Sequence, residues 1–416
     1  MSPSPLRVGV LGAGTVGREV VRGLLTFGER LAADGGPPLE LAAVAVRDVD
    51  AARARGLPPD LLTDAPAHVV ADPSIDVVVE LIGGEEPART LVAAALAAGK
   101  PVVTANKHLL AHHGFELEAA SRRIGAALRF EAAVGGGTPV LGPLATELVA
   151  NRIDSVRGIV NGTTNHILST MAAGEGSYEA VLRDAQERGY AEADPSADVE
   201  GRDAVNKLVV LARLAFGEWL DPACVVDRPP TAGRSRAGRP GITGVTAAEL
   251  EGAAALGLAI RLLAVATRGD DGEITASVLP TAVPADSPFG RTGGVRNRIE
   301  VRGEPVGMVG FDGPGAGGAA TSSAVLADLA AIARGAGSTW AGLPPAIRSA
   351  SSPATADLTT RTRCWFAFLP GVRAGDLREI ADACAELATG TAVRTRSVRV
   401  GALADQPNAP WYPIDD

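Results

Sequence analysis

The chain has 416 residues, 46% of them apolar and 21% charged, with a formal net charge of −9. Its length allows two or three domains of roughly 100–200 residues each, and its composition is globular rather than disordered. The acidic balance argues against a basic surface that would hold nucleic acid.

The first apolar run, residues 6–11, reads as a short buried strand. Gly12 and Gly14 break it at once, so it is too short for the apolar core of a signal peptide. No run of about 18 or more apolar residues suggests a membrane span. The expectation is a cytoplasmic protein with neither nucleic acid nor membrane as a partner. After Gly12-Ala13-Gly14-Thr15-Val16-Gly17, residues 18–25 have helical spacing. Apolar runs at 39–46 and 75–82, an alanine-rich helix at 88–98 and a short strand at 101–104 continue the alternation. Strands alternating with helices predict a parallel sheet covered on both faces.

Further on, residues 153–160 read as a strand, 178–188 as a helix, and 199–216 as a helix closed by Gly217. Residues 228–240 are a basic loop rich in proline and glycine. A helix over 246–258 and several strands to 310 follow, then a glycine-rich turn at 313–318 and a helix over 322–333. Residues 341–360 look like a linker, and the tail reads as strand 364–368, helix 374–388 and strand 392–400. The expected domains are 1–145, completed by the helix near 315–336 and binding a dinucleotide, 146–312 for substrate and dimerisation, and 341–416 as linker and tail.

Cys224, Cys364 and Cys384 are odd in number and widely spaced, so neither a disulfide framework nor a thiolate zinc site is indicated. The five histidines, His112 and His113 adjacent among them, lack metal-site spacing. Lysine and arginine total 39, yet only Lys100, Lys107 and Lys207 are lysines. Arginine keeps its proton near neutral pH, whereas lysine can release one when its surroundings shift it. Lys107 and Lys207 are therefore candidates for amine chemistry, while Lys100 fits a solvated helix end.

The G-x-G-x-x-G pattern sits between a strand and a helix. Its first glycine suits the tight turn, its second the approach of a pyrophosphate, its third close packing of helix on strand. At the end of the second strand an acidic residue would bond a ribose 2′-hydroxyl. Arg47 stands there instead and suits a 2′-phosphate, so NADP is favoured, while the adjacent Asp48 keeps NAD open.

The segment 194–207 is dense in carboxylates. Asp203 and Lys207 are four apart, so a helix puts them on one face, and the apolar residues 208–211 predict that this helix is buried. A carboxylate favours a charged lysine while desolvation opposes charge. That balance suits a group that gives and takes a proton at a carbonyl or alcohol.

Over roughly residues 6–336 the chain resembles homoserine dehydrogenase. The resemblance rests on Gly12 to Gly17, Thr104-Ala105-Asn106-Lys107, the run from Glu131 to Pro139, Asn161-Gly162-Thr163-Thr164-Asn165, the run from Gly189 to Lys207, and Gly313 to Gly318. It implies a Rossmann-type parallel sheet domain plus an α/β substrate and dimerisation domain, with a small α+β tail that is partly ACT-like. It also implies reversible NAD(P)H-dependent reduction of aspartate 4-semialdehyde to homoserine, on the path to threonine, methionine and isoleucine.

By this resemblance Lys207 is the proton donor and Lys107 a second catalytic lysine. Glu192, Asp203 and Asp198, with Gly162, Thr163 and Tyr190, hold the amino-acid substrate. Gly12, Gly14, Thr15, Val16, Gly17, Arg47, Lys107, Gly189 and Gly315 bind the cofactor. Main-chain oxygens of Glu131, Val134, Gly136 and Thr138 hold a sodium ion, and the assembly is a homodimer or homotetramer. His166 stands where the family often has tyrosine, and only about one β-α-β unit of an ACT domain is legible, which sets threonine control in doubt. Two other readings remain: a dehydrogenase for a related amino-acid semialdehyde, and a cofactor-binding regulator without turnover. A cysteine-dependent aldehyde dehydrogenase and a zinc alcohol dehydrogenase lack their residues.

Overall fold

The computed structural model describes residues 4–31, 36–230, 238–348, 362–399, 403 and 409–415. The chain forms two units, one of residues 1–152, 209–220 and 313–349, the other of residues 153–208, 221–312 and 350–416.

In the first unit strands and helices alternate as β1 (Leu6–Leu11), α1 (Thr15–Leu31), β2 (Leu39–Ala45), α2 (Val49–Ala54), β3 (Leu62–Thr63), α3 (Pro66–Ala71), β4 (Val77–Glu80), α4 (Ala88–Ala97), β5 (Val102–Thr104), α5 (Lys107–Ile124) and β6 (Leu128–Arg129), followed by α6 (Leu141–Ala145). The sheet runs β3-β2-β1-β4-β5-β6, with every pair parallel. This is the dinucleotide-binding order, in which the strand sequence reverses between β1 and β4. Val8, Val10, Val77, Val79 and Val103 of the strands are buried with Val20, Val21 and Leu24 of α1. The strands read as unbroken apolar runs because helices cover both faces.

The chain then forms β7 (Arg152–Ile159), α7 (Gly162–Ala172), α8 (Tyr178–Glu187), α9 (Ser196–Val199) and α10 (Arg202–Phe216), and after it β8 (Glu218–Trp219). Next come α11 (Ala247–Ala255), β9 (Leu258–Arg268), β10 (Ile274–Pro284), α12 (Pro288–Arg291), β11 (Arg296–Glu304), β12 (Gly307–Pro314) and α13 (Gly318–Ala333). The second unit's sheet runs β10-β9-β7-β11-β12, and β9 pairs antiparallel with both neighbours. The helix expected over 199–216 is broken in two at Gly201, whose φ of +85° no helix accepts. α13 belongs with the first unit, where Gly23 of α1 lets Leu326 approach to 2.5 Å from the place a Cβ would occupy.

Residues 341–348, read from sequence as linker, are tied into the first unit. Arg122 donates to the carbonyls of Leu343 and Pro344, Arg213 donates to that of Pro344, and β13 (Ile347–Arg348) pairs with β8. The rest of that linker from 349, and residues 231–237 of the basic loop, lie outside the described residues.

The tail departs most from expectation. It forms β14 (Trp365–Pro370), a single 3-10 turn at Ala374–Leu377, β15 (Ala381–Leu387), β16 (Gly390–Thr395) and β17 (Tyr412–Pro413), in a sheet ordered β15-β16-β14-β17. The helix expected over 374–388 is thus a turn and a strand, the closing strand stops at Thr395, and residue 400 lies outside the described residues. Among the described residues the tail's strands pair antiparallel with no α-helix between them, so the α+β, partly ACT-like pattern is unsupported there. The segment 381–387 instead pairs antiparallel along β16, with Asp382 and Glu386 exposed between half-buried neighbours. Trp365, Leu369, Val393 and Trp411 form a core of their own beneath this sheet.

Candidate active site

The glycine turn of the first unit has the shape its sequence implies. Gly12 holds φ +97°, and a Cβ there would lie 2.7 Å from the Leu81 carbonyl oxygen. Gly14 faces open space, while a Cβ on Gly17 would fall 2.1 Å from the Gly12 carbonyl oxygen. The turn is therefore tight, approachable from outside and closely packed, as a pyrophosphate cradle at the amino end of the seventeen-residue α1 requires. Thr15 and Val16 begin that helix.

Past β2, Arg47 is exposed. The carboxylate of Asp48 accepts a hydrogen bond from Ala51 N at 2.8 Å and caps α2. Asp48 is thus committed to its own helix, an ordinary N-cap task for aspartate, and Arg47 is the charge presented at the strand end. Lys107 is the first residue of α5, next to the N-cap Asn106, which accepts from Leu109 N at 3.0 Å.

Residues 131–138 form a compact turn. The Glu131 carboxylate accepts from the main-chain N–H groups of Val140, Leu141 and Gly142 at 2.8, 3.0 and 2.6 Å. Burial pushes its pKa up, against those three donors. The Glu131 carbonyl accepts from Val134 N at 3.5 Å. Gly135 and Gly136 take φ of +77° and +58°, and Thr138 N donates to Gly135 O. A Cβ on Gly136 would lie 2.7 Å from Gly315 O, so this turn lies directly against the 313–318 turn. The hydroxyl of buried Thr138 has no hydrogen-bond partner among the described residues. A buried oxygen without a donor, in a turn with two left-handed glycines, is compatible with a hard cation held by oxygens. Among the described residues no group of three or more histidine, cysteine, aspartate or glutamate side chains is placed to hold a metal.

In the second unit the carboxylate-rich segment folds around Lys207. Its Nζ lies 2.6 Å from Asp203 Oδ2 and donates to the Val160 carbonyl at 2.8 Å. Asn161 Nδ2 donates to Asp198 Oδ1 at 2.7 Å and to Asp203 Oδ2 at 2.9 Å. Its Oδ1 accepts from Thr164 N and caps α7. Thr163 Oγ1 donates to the Tyr190 carbonyl at 2.6 Å, joining α7 to the segment that carries Gly189, at φ +72°. Gly162 is required by a neighbour, since a Cβ there would lie 2.6 Å from Val295 O. His166 packs edge-on against the Tyr190 ring, with centroids 5.3 Å apart.

Thr163 and Tyr190 meet through their own bond, while Lys207, Asp203 and Asp198 are joined through Asn161 into one network. Glu192 is not part of it: its side chain is exposed and its carbonyl accepts from Gln186. Two of the network's parts were not singled out by sequence. Asn161 orients both aspartates, and its place before Gly-Thr-Thr, a good N-cap position, is the signal that could have marked it. The Val160 carbonyl leaves no mark in sequence at all.

Comparison with known proteins agrees with this architecture. The family model "Homoserine dehydrogenase, NAD binding domain" matches residues 12–131, and "Homoserine dehydrogenase" matches residues 139–330. The chain is 43% identical over 334 residues to the homoserine dehydrogenase of a Synechocystis strain, covering 78% of this chain and 72% of that protein. It is 44% identical over 334 residues to the Mycobacterium tuberculosis enzyme, covering 79% and 73%. The crystal structure of a homoserine dehydrogenase from Thiobacillus denitrificans superposes with a TM-score of 0.87 at 34% identity, over 99% of each chain. A hyperthermophilic archaeal homoserine dehydrogenase solved in complex with NADPH gives 0.63 at 26% identity, over 79% of this chain and 97% of that one.

Proposed function

The chain belongs to the homoserine dehydrogenase family, and from that premise we propose how its residues share the reversible reduction of aspartate 4-semialdehyde to homoserine. The enzyme is an NAD(P)-dependent oxidoreductase, and the dinucleotide supplies or accepts the hydride at the aldehyde carbon. Gly12, Gly14, Thr15, Val16 and Gly17 cradle the pyrophosphate, and Arg47 pairs with a 2′-phosphate, making NADP the preferred form. Gly189 and Gly315 offer main chain to the same cofactor.

Lys207 donates the proton to the aldehyde oxygen. An ammonium has three N–H donors, and the Asp203 carboxylate and the Val160 carbonyl account for two of them. The third is left for the substrate. Asp203 and Asp198, fixed by Asn161, pair with the substrate ammonium, and Gly162, Thr163 and Tyr190 line the same end. Glu192, exposed here, joins them when the amino acid is bound. Lys107 is the second catalytic lysine. Main-chain oxygens of Glu131, Val134, Gly136 and Thr138 take a sodium ion that stiffens the turn facing Gly315. The protein works in the cytoplasm as a homodimer or homotetramer, on the route to threonine, methionine and isoleucine.

The observation that carries this reading is the buried Asp203–Lys207 pair at 2.6 Å, held by Asn161 and Val160. Steady-state oxidation of homoserine, measured with NADP and NAD separately, tests it. Turnover with homoserine and a higher kcat/KM for NADP are expected. Turnover only with a different amino alcohol would replace the substrate.

A further inference from the structure

Glu80 ends β4 at the carboxyl edge of the parallel sheet and is fully buried. One of its oxygens, Oε1, accepts from Ile82 N at 2.9 Å and from Gly83 N at 3.0 Å. The other, Oε2, accepts from the Thr104 hydroxyl at 2.6 Å. That hydroxyl accepts in turn from Asn106 N at 3.0 Å. The Asn106 amide donates back to the Gly84 carbonyl at 2.7 Å. Glu80, the 82–84 loop, Asn106 and Thr104 therefore form a closed circuit of hydrogen bonds across the ends of β4 and β5.

Each side of the circuit borders a group with a proposed role. Leu81 and Ile82 form the backbone against which Gly12 makes its close approach, and Leu81 N donates to Leu11 O at 2.8 Å. On the other side, Asn106 immediately precedes Lys107 and caps the helix that Lys107 begins. In a sheet of this strand order, ligands bind outside the carboxyl ends of the strands, beside the point between β1 and β4 where the order reverses.

We propose that Glu80 is a positioning residue for the reaction: its carboxylate, acting through Thr104 and Asn106, fixes Lys107 against the loop that borders the dinucleotide turn. The proposal rests on the roles given above to Lys107 and to the glycine turn. Several features make the carboxylate specific to the task. Three donors converge on two acceptor-only oxygens, and bonds to a charged acceptor are roughly twice as strong as neutral ones. In Glu80→Gln the amide nitrogen would have to face either two N–H donors or the Thr104 hydroxyl. In the second arrangement that hydroxyl receives two donors and its own proton loses its acceptor. Either way the circuit opens where the catalytic geometry tolerates least movement.

The test uses the full-length protein as Glu80→Gln, Thr104→Val and Thr104→Ser. Hydrogen exchange is followed at 81–84 and 106–109, NADP affinity by fluorescence titration, and homoserine oxidation by steady-state kinetics. Thr104→Val keeps shape and loses the hydroxyl, whereas Thr104→Ser keeps the hydroxyl. Expected in Glu80→Gln and Thr104→Val are faster exchange at both segments together and a kcat lower by about tenfold to a hundredfold. NADP affinity stays within about threefold, and Thr104→Ser restores both exchange and rate, as a positioning role worth about 1–3 kcal/mol predicts. Exchange unchanged, or changed in one segment only, would show that the circuit does not couple the two. Faster exchange with kcat unchanged, or Thr104→Ser behaving like Thr104→Val, would overturn the positioning role while leaving the enzyme's function intact. A parent protein inert toward homoserine would overturn the functional reading and this role with it.

Discussion

Lys207 reaches across one helical turn to Asp203, with Nζ 2.6 Å from the carboxylate and both side chains about nine-tenths buried. A solvated pair of this spacing would contribute only a few tenths of a kcal/mol. A buried pair costs desolvation that the ion contact alone barely offsets. Asn161 donates to the Asp203 carboxylate, and the Val160 carbonyl accepts from Lys207. Such an arrangement orients the ammonium at an expense in stability, which is the expected signature of a group kept for chemistry.

Lys207→Ala is therefore expected to lower turnover by about 10²–10⁴-fold while cofactor affinity stays near that of the parent. Lys207→Arg keeps the charge and the contact to Asp203 but holds its proton too tightly to donate it, so it too should be nearly inactive. The check is kcat together with NADP titration of the same preparations. Either variant retaining most of the parent rate would remove Lys207 from the proton-transfer role.

Arg47 is exposed past the end of β2, and Asp48 spends its carboxylate on Ala51 N. A charged hydrogen bond to a phosphate is worth about 1.5–3 kcal/mol, or about tenfold or more in affinity. Arg47→Ala should raise KM for NADP by about that factor and leave KM for NAD nearly unchanged. Equal effects on both cofactors would show that Arg47 does not read the 2′-phosphate.

Much of this was legible in the chain because the relevant signals are local. The first unit's strands are covered on both faces, so they appear as apolar runs between glycine turns. Asp203 and Lys207 announce themselves by spacing. Glu80 was hidden as the lone acid near the end of an apolar run, since nothing in that run says what its carboxylate meets. The tail misled because alanine favours helix intrinsically, and packing overrode that preference when 381–387 paired along β16. Glu118 and Arg213 are 95 residues apart and bond in the interior. No local pattern links them.

That last pair gives a pH prediction. Glu118 accepts from Arg213 at 2.8 and 2.6 Å, from Arg122 at 2.8 Å and from Trp219 at 2.9 Å. Burial pushes its pKa up, but the Arg213 contact and the other donors outweigh it and hold the carboxyl below its usual 4.5. A depressed folded-state value means stabilisation that is complete above the unfolded value and lost as pH falls through the folded one. Glu118→Gln should therefore cost about 3–5 kcal/mol at neutral pH, because Arg213 is left buried and unpaired. The gap between parent and variant should narrow below about pH 4.5. Denaturant unfolding at pH 7 and pH 4 measures it, and a gap independent of pH would contradict the ion-pair account.

The final prediction concerns the tail, which packs within the second unit. A Cβ on Gly252 of α11 would lie 2.9 Å from the Ala392 side chain and 3.3 Å from that of Phe368, so the helix rests directly on the tail sheet. The Tyr412 hydroxyl donates at 3.0 Å to Glu249, whose other oxygen closes the capping box of α11 with Thr246. Trp411 N donates to Pro230 O and Asp415 N to Ala282 O, and the Asp415 carboxylate pairs with Arg157 at 2.6 Å. Trp365, Phe366, Leu369, Trp411 and Tyr412 are all essentially buried, at roughly 1.5–3 kcal/mol for each large apolar side chain. Their sum is comparable to the whole stability of a domain, about 5–15 kcal/mol. A chain cut after Arg348 should accordingly lose a cooperative thermal transition or melt far lower, and Tyr412→Phe should cost about 1 kcal/mol through its lost hydrogen bond. An effector acts only by binding two states unequally, and a sheet sewn to α11, β7 and β10 has little freedom to adopt a second one. Threonine at millimolar levels should leave the rate of the full-length enzyme unchanged. Inhibition by threonine that is lost on truncation would show the tail to be a sensor, and a truncated chain that melts like the parent would show that it is not part of the second unit's core.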